Sequence, residues 1–328
     1  NPVYEANVSA NSTQSLNSGN SLSDLNDMRN AQVVLLANYL ISNFSACLST
    51  ASSAQTFTIS GSKLTSDVTV TAPTNFEISK DNITYSSSLT YAPTSGTLAS
   101  STVYLRLKSL GATGSYSGYV TVAATNAATQ TYLATGDVVA TTAISSSPSS
   151  ETVCSGTPTT FSVTAAGSGM TYQWQVSADG GSTYSNLSNT GIYTGVATSV
   201  LRLASGLTNS YSGYKYQCVV TGSCGSATSS AATLTVNSPI SITASPSSSA
   251  ICANGNTTFS VTATGTSPSY QWKVSTNSGV SYTNISTGSP YSGESTASLT
   301  ITGATAGMNG YKYQCVVTGN CTNDTSDA

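Results

Sequence analysis

A long internal repeat restricts the fold of this chain more than any other feature of its sequence. Trp174 and Trp272 lie 98 positions apart in matching segments, and Cys218 and Cys315 lie 97 positions apart. A repeat of this length is a whole domain, because solenoid repeats are about 20–50 residues long. In both copies Val, Ile, Leu, Tyr and Phe alternate with Ser and Thr, which is the pattern of half-buried strands. The repeat therefore predicts tandem all-β domains.

The 328 residues divide into four segments on this basis. We expect an N-terminal polar arm with a helix, a β-sandwich of about seven strands, a first repeat and a second repeat, over residues 1–50, 51–139, 140–237 and 238–328. The second repeat stops where the strand Ala232–Val236 of the first repeat would follow. Either the sequence is a fragment of a longer array, or the last sandwich has an open sheet edge that accepts a strand from another subunit.

The first segment predicts one helix, from Ser21 or Ser23 to about Phe44. Acidic residues favour its first turn, and glycine is absent from its body. Its C-terminal half is apolar nearly all round, so we expect it to be buried on more than one side. The apolar positions assigned to this contact are Val33, Leu36, Leu40 and Phe44. They would pack either against the first sandwich of the same chain or against another subunit of an oligomer or filament.

Composition excludes several classes of function. The sequence has no His, 9 Lys and Arg residues, and a net charge of −3. The commonest general base and metal ligand is therefore absent, and no basic surface is available for nucleic acid. The longest apolar run, Val33–Ala37, is far shorter than the ~20 residues that span a bilayer. We expect no catalytic residue, no cofactor, no nucleic-acid partner and no membrane span. A calcium site at Asp67, Glu77 and Asp81 is the weaker alternative to ordinary solvated strand ends.

Each repeat has the core pattern of an immunoglobulin sandwich. In the first repeat, Trp174 takes the place of the strand-C Trp, and Tyr216 takes the place of the tyrosine corner, two residues before Cys218 on strand F. Val163 stands where a strand-B cysteine is usual. The second repeat has the same residues in the same order: Val261, Trp272, Tyr313 and Cys315. The two strand-F cysteines are therefore expected to be free thiols in the core.

The repeats resemble a known family. The strings CSGTPTTFSVTA, TYQWQVSADGGSTY and GYKYQCVVTGSCGSATSSAATLTV are similar to the tandem Ig-like repeats of giant surface proteins from bacteria of the Bacteroidota phylum. The string SSAQTFTISGSKLTSDVTVTAPTNFEIS, with VYLRLK and GSYSGYVTV, is similar to a β-sandwich module of the same proteins. The resemblance implies export by a signal peptide and the type IX secretion system. It also implies a role in surface adhesion, gliding or filament building.

The other five cysteines predict disulfides between neighbouring domains. Cys154 precedes strand B at one end of its sandwich, whereas Cys224 lies in the F–G turn at the opposite end. A strand of about six residues spans roughly 20 Å, and a disulfide needs Cα atoms within about 7 Å. These ends meet between tandem domains, so we expect Cys154 to pair with Cys321 and Cys47 with Cys224, while Cys252 awaits a further repeat. An equal alternative is a bridge within one domain, from Cys154 to Cys224 or to the strand-F cysteine.

Together these features favour a non-enzymatic extracellular structural or adhesive protein. We expect it to self-associate into a cell-surface fibre or filament of tandem β-sandwiches, and a surface or glycan ligand is a further possible partner. The alternative is a set of carbohydrate- or protein-binding accessory modules of a larger secreted enzyme. Four tyrosines beside Asn, Ser and Gly have the composition of a binding surface, but ordinary sandwich surface has it too: Tyr184, Tyr193, Tyr282 and Tyr291.

Overall fold

The computed structural model describes residues 41–125 and 127–328, together with the backbone of 32–34. The chain separates into two compact units, Asn1–Thr141 and Thr142–Ala328. Unit 1 precedes the repeats, and unit 2 contains both of them. Apart from two short 3-10 turns, every regular element in the described residues is a β-strand. None of the described residues forms a helix long and apolar enough to cross a bilayer.

Unit 1 is a sandwich of two sheets. One sheet has the order β1-β3-β7-β5, with β1 at Gln32–Val34, β3 at Gln55–Ser62, β5 at Phe76–Ser79 and β7 at Leu98–Leu107. The other has the order β2-β9-β8-β4-β6, with β2 at Phe44–Cys47, β4 at Val68–Thr71, β6 at Ser88–Tyr91, β8 at Gly114–Ala123 and β9 at Gln130–Val139. Alternate residues of each strand point into the core between the sheets, as Phe57 and Ile59 of β3 do.

The predicted N-terminal helix is wrong at the positions that the structure describes. Val33 lies in β1, which pairs antiparallel with β3. Phe44 begins β2, which pairs in parallel with β9. The Phe44 side chain is 2% exposed and packs on Phe76 in the core of unit 1, so it is no contact for another subunit. Sheet pairing and burial outweigh the local helix propensity of these residues. Leu36 and Leu40 lie outside the described residues.

The first repeat has the immunoglobulin arrangement. One face consists of two short sheets, β10-β13 and β12-β17-β16, with β10 at Ala143–Ser146, β12 at Thr159–Ser162, β13 at Thr164–Ala166, β16 at Tyr193–Thr194 and β17 at Val200–Leu203. The other face has the order β11-β20-β18-β14-β15, with β11 at Glu151–Cys154, β14 at Thr171–Ser177, β15 at Ser185–Asn186, β18 at Lys215–Gly222 and β20 at Ala232–Asn237. β19 (Gly225–Thr228) also pairs with β18, and a 3-10 turn spans Asn209–Tyr211.

The second repeat reproduces this arrangement with two strands fewer. One face has the sheets β21-β23 and β22-β27-β26, with β21 at Ser241–Ala244, β22 at Thr257–Ser260, β23 at Thr262–Thr264, β26 at Tyr291–Ser292 and β27 at Ser298–Ile301. The other has the order β25-β24-β28-β29, with β24 at Ser269–Ser275, β25 at Thr283–Asn284, β28 at Lys312–Thr318 and β29 at Asn323–Thr325. A 3-10 turn spans Ala306–Met308. Residues 238–328 contain no counterpart of β11 or β20.

The unit 1 sandwich differs from the repeats in one connection. In the first repeat, β14 is followed by its sheet neighbour β15, and the chain then crosses to β16 on the other face. In unit 1, β4 is followed by β5 on the opposite sheet, and the chain returns to pair β6 with β4. Both sandwiches nevertheless place a short strand, β2 or β11, in parallel beside their last long strand. This short strand positions a cysteine in each of them.

Candidate functional site

Two of the three acidic side chains considered for a calcium site, Glu77 and Asp81, are engaged within unit 1. Glu77 forms an ion pair with Arg106 at 2.7 Å. The Asp81 carboxylate accepts hydrogen bonds from the backbone N–H groups of Thr84 and Ile83, both at 2.8 Å. These bonds lower the pKa of Asp81 to about 2. Among the described residues, no group of three or more His, Cys, Asp and Glu could hold a metal ion.

The core tryptophans lie where the immunoglobulin pattern predicts. Trp174 is fully buried, is the cross-strand partner of Cys218, and donates its indole N–H to the carbonyl of Thr198 at 2.9 Å. The second repeat has the same arrangement, with the same 2.9 Å distance, at Trp272, Cys315 and Thr296. An indole N–H that finds a partner can be buried without loss of hydrogen bonding. These residues therefore form the centre of each sandwich.

The tyrosine that precedes each strand-F cysteine has an unexpected partner. Tyr216 stacks on Phe161 at 4.8 Å, and its hydroxyl lies 3.2 Å from that of Tyr193. A tyrosine corner would instead bond to backbone upstream. Burial raises the pKa of Tyr216. Tyr313 in the second repeat makes the same contacts, with Phe259 at 5.1 Å and with the hydroxyl of Tyr291 at 3.3 Å.

This pairing corrects the role considered for the loop tyrosines. Tyr193 and Tyr291 are half-buried and bond to the core tyrosines, so they are not exposed binding residues. Tyr184 and Tyr282 are half-buried as well. The four residues therefore do not provide the exposed aromatic surface that a glycan or protein site of this composition needs.

The strand-F cysteines are free and fully buried. Burial raises the pKa of the thiol to about 11 at both Cys218 and Cys315. Val163 and Val261, at the strand-B position of each repeat, are 5% exposed and belong to the same cores. Valine and a neutral thiol thus pack where a sheet-to-sheet disulfide is usual.

Three cysteines occupy equivalent positions at the end of a short segment before strand B. Cys47 ends β2 and pairs with Val139 of β9. Cys154 ends β11 and pairs with Asn237 of β20. Cys252 has the corresponding place in the second repeat, where the segment is not a strand, and its thiol is exposed and free. In unit 1 and in the first repeat, this cysteine thus lies beside the last residue of the final strand.

A disulfide joins the two repeats. Cys154 is bonded to Cys321 with a Cα–Cα distance of 5.7 Å. Cys321 lies between β28 and β29, in the F–G turn of the second repeat. Cys154 is therefore bonded to neither Cys218 nor Cys224, which were its alternatives within one domain. Cys47 and Cys224 are also in disulfide form, and their pairing with each other stays a prediction.

The peptide linker between the repeats runs beside this disulfide. β20 ends at Asn237 and β21 begins at Ser241. The Asn237 carbonyl accepts the N–H of Ser155 at 2.8 Å and lies 3.6 Å from the sulfur of Cys321. Ser238 and Thr266 exchange two hydrogen bonds, at 2.8 and 3.1 Å. The linker is thus bonded to both repeats and not exposed as a free tether.

Ile240 fixes the linker onto the second repeat. Its side chain is 6% exposed, and its N–H donates to the Thr322 hydroxyl at 2.8 Å. A Cβ placed on Gly319 or on Gly265 would lie 2.5 or 2.7 Å from the Cδ1 atom of Ile240. Glycine at these two positions makes room for the isoleucine. Sequence reasoning missed this contact, although the short linker and the repeated Thr-Gly that ends the strand-F motif were signals for it.

The fold defines a class: an all-β chain of tandem immunoglobulin-like sandwiches joined by a disulfide. Residues 142–238 match a sequence family described as a domain of unknown function (DUF8696). No curated protein matches the sequence.

Solved structures give the same class. The chain is similar to a three-Ig fragment of titin with Glu-to-Ala substitutions, at a TM-score of 0.57 and 19% identity over 90% of this chain and 96% of that one. An I-band fragment of titin has a TM-score of 0.56 and 17% identity over the same shares. These similarities concern the fold alone.

Proposed function

We propose that this chain is an extracellular structural or adhesive protein whose tandem sandwiches, cross-linked at their junctions, form a cell-surface fibre or filament. The observation that carries the proposal is the disulfide between Cys154 and Cys321, which joins one repeat to the next. A disulfide inside a sandwich stabilises one domain. A disulfide between sandwiches fixes how consecutive domains meet, which is the property that a load-bearing array requires.

The location follows from the chemistry of these bonds. Disulfides persist in oxidising environments and are rare in the cytosol. Four of the seven cysteines are in disulfide form, and the exposed surface is dominated by Ser and Thr with few charges. We therefore place the protein outside the cell. The resemblance to Bacteroidota surface repeats supports export by the type IX secretion system and a role in adhesion or gliding.

A ligand-binding accessory module of a secreted enzyme is the rival function. Such a module needs convergent polar groups and exposed aromatic rings in a concave site. The tyrosines considered for this role are partly buried within the sandwiches. No specific observation favours the rival, so we retain the structural function.

Electron microscopy of the native secreted material tests the proposal. We expect fibres that an antibody against the second repeat decorates at regular intervals. A strain in which Cys154→Ser and Cys321→Ser replace both junction cysteines should secrete the protein but form fewer or more fragile fibres. A Val280→Ser strain, changed at an exposed residue of the second repeat away from the junction, is the matched control. Monomers in the native material, or fibres that persist unchanged in the double variant, would refute the proposal.

A further inference from the structure

The first strand of each repeat lies beside the F–G hairpin of the same repeat, which is β18 with β19 or β28 with β29. In the second repeat, two side chains of the hairpin segment hold this strand. The N–H of Ile240, just before β21, donates to the Thr322 hydroxyl at 2.8 Å. The N–H of Ile242, within β21, donates to the Asp324 carboxylate, also at 2.8 Å. These bonds attach β21 to the opposite face of its sandwich.

The first repeat lacks both of these side chains. Gly225 stands at the position of Thr322, and Ala227 stands at the position of Asp324, each 97 positions earlier in the chain. Glycine and alanine have no polar side-chain group that could accept a hydrogen bond. The hairpin of the first repeat therefore offers β10 no side-chain acceptor at either position.

The residue before each first strand also fits its repeat differently. Ile240 is 6% exposed and belongs to the core of the second repeat. Its counterpart Thr142 donates its N–H to the carbonyl of Cys224 at 3.2 Å. The Thr142 hydroxyl oxygen, however, is buried against Gly222 and has no hydrogen-bond partner among the described residues. A buried hydroxyl without a partner costs stability, whereas a buried isoleucine contributes to it.

β11 limits how far the first strand of this repeat can detach. β11 pairs with β20 along its whole length and ends at Cys154, which is bonded to Cys321. Before β11, the segment 142–150 includes β10, whose pairing with β13 is interrupted by a register shift. Two exposed contacts follow, in which Ser147 and Ser150 each accept a backbone N–H at 3.0 Å. The weakly attached part of the repeat is therefore the segment 142–150.

We propose that the segment 142–150 of the first repeat is a releasable strap, which opens before the other strands of that repeat, whereas β21 of the second repeat stays attached. Opening uncovers the edge of β13 and the partly buried Ile144, and it stops at β11. Fully extended, the strap spans about 30 Å, at ~3.3 Å per residue. Elements that open locally at low cost are the first to yield. This property belongs to one repeat and does not depend on whether the protein forms fibres.

Hydrogen-exchange mass spectrometry of the full chain, with variants, tests the proposal. Ala227→Asp places a carboxylate beside β10, as Asp324 does beside β21. We expect this variant to slow the exchange of residues 142–147 by about 5-fold or more, because a hydrogen bond to a charged group is among the stronger ones. Thr228→Asp is the matched control, since it adds the same charge at the next, exposed position of β19. It should leave that exchange unchanged.

Two further variants test the other attachments separately. Asp324→Ala should accelerate the exchange of residues 240–245 by about 10-fold, because it leaves the N–H of Ile242 without its acceptor. Thr142→Val should slow the exchange of residues 142–147 by about 5-fold, because it removes the unpaired hydroxyl and keeps the branched shape of the side chain.

Three results would overturn the proposal. Exchange of residues 142–147 as slow as that of the central strand β14 would mean that the segment does not open ahead of its repeat. Equal effects of Ala227→Asp and Thr228→Asp would mean that added charge, and not a hydrogen bond to β10, changes the exchange. Unchanged exchange of residues 240–245 in Asp324→Ala would mean that the carboxylate does not hold β21. None of these results bears on whether the native material forms fibres.

Discussion

Removing the disulfide between Cys154 and Cys321 should lower the stability of both repeats. The disulfide joins the first repeat to the second, in addition to the peptide linker. Either repeat can therefore unfold only as a loop whose two ends remain attached to the other repeat. A disulfide within a single sandwich would restrict that sandwich alone. The double variant Cys154→Ser, Cys321→Ser therefore distinguishes a disulfide between the repeats from one within a sandwich. In the first case both repeats lose stability, and in the second case only one does.

The size of the effect follows from the loop that the disulfide closes. When the second repeat unfolds alone, its chain is held at Asn237, beside the anchored Cys154, and at Cys321, 84 residues further on. Restricting a loop of that length corresponds to about 4.6 kcal/mol in the chain-entropy model, and measured disulfides more often contribute about 2–4 kcal/mol. For a domain of about 90 residues, a loss of 2–4 kcal/mol lowers Tm by about 10–25 °C.

Calorimetry, with hydrogen-exchange mass spectrometry to assign each transition to a domain, measures this shift. Non-reducing peptide mapping of the starting protein should first yield a crosslinked Cys154–Cys321 peptide. Cys252→Ser is the matched control, since it removes an exposed free thiol, and unit 1 is an internal reference. A Cys154–Cys224 peptide, a shift confined to the first repeat, or shifts below about 3 °C in both repeats would refute the reasoning.

Three further predictions concern chemistry within the described residues. Of the free thiols, Cys252 should react with iodoacetamide in the native protein at pH 8, whereas Cys218 and Cys315, buried and with pKa values of about 11, should react only after denaturation. Because the folded pKa of Asp81 lies near 2, below its ordinary 3.8, the contribution of its carboxylate to the turn should be complete above about pH 4 and lost as the pH falls towards 2. A carboxyl-carbon NMR titration locates this midpoint, and Asp81→Asn, which keeps the acceptor oxygen, should remove the pH dependence. Finally, the purified chain should show no turnover on polysaccharide or peptide panels, and robust activity on any of them would contradict the non-enzymatic function.

The centre of each repeat was predictable because its signals are local and occur twice. In β18 the inward residues Tyr216, Cys218 and Val220 alternate with polar ones, and the same pattern recurs in β28. Successive side chains of a strand point to opposite faces of the sheet, so a run of alternating apolar and polar residues identifies which face is buried. Trp174 is a further signal, because a large indole is buried in a core that offers its N–H a hydrogen-bond acceptor. The strand order could then be inferred from the immunoglobulin pattern.

The short parallel strands were not predictable, because nothing in their own residues specifies them. β2 and β11 are four residues each, and each pairs with a strand more than 80 positions later in the chain. In the second repeat the equivalent segment 249–252 is not a strand, and residues 238–328 contain no counterpart of β20. Reading Phe44 as helical failed for the same reason, since its strand depends on β9.

Cys154 and Cys321 lie at the ends of their sandwiches and not across one of them, and this placement changes what the disulfide protects. The core of each repeat packs without a disulfide, around Trp174 in the first repeat and around Trp272 in the second. The junction is already ordered by Ile240 and by the hydrogen bonds of Ser238. The bond from Cys154 therefore adds a second covalent connection beside the peptide linker. Cleavage of one peptide bond in that linker would leave the two repeats attached until the disulfide is reduced, and force along the chain would be shared between two paths. Both consequences suit a protein exposed to proteases and shear outside the cell, and neither would follow from a disulfide buried inside one sandwich.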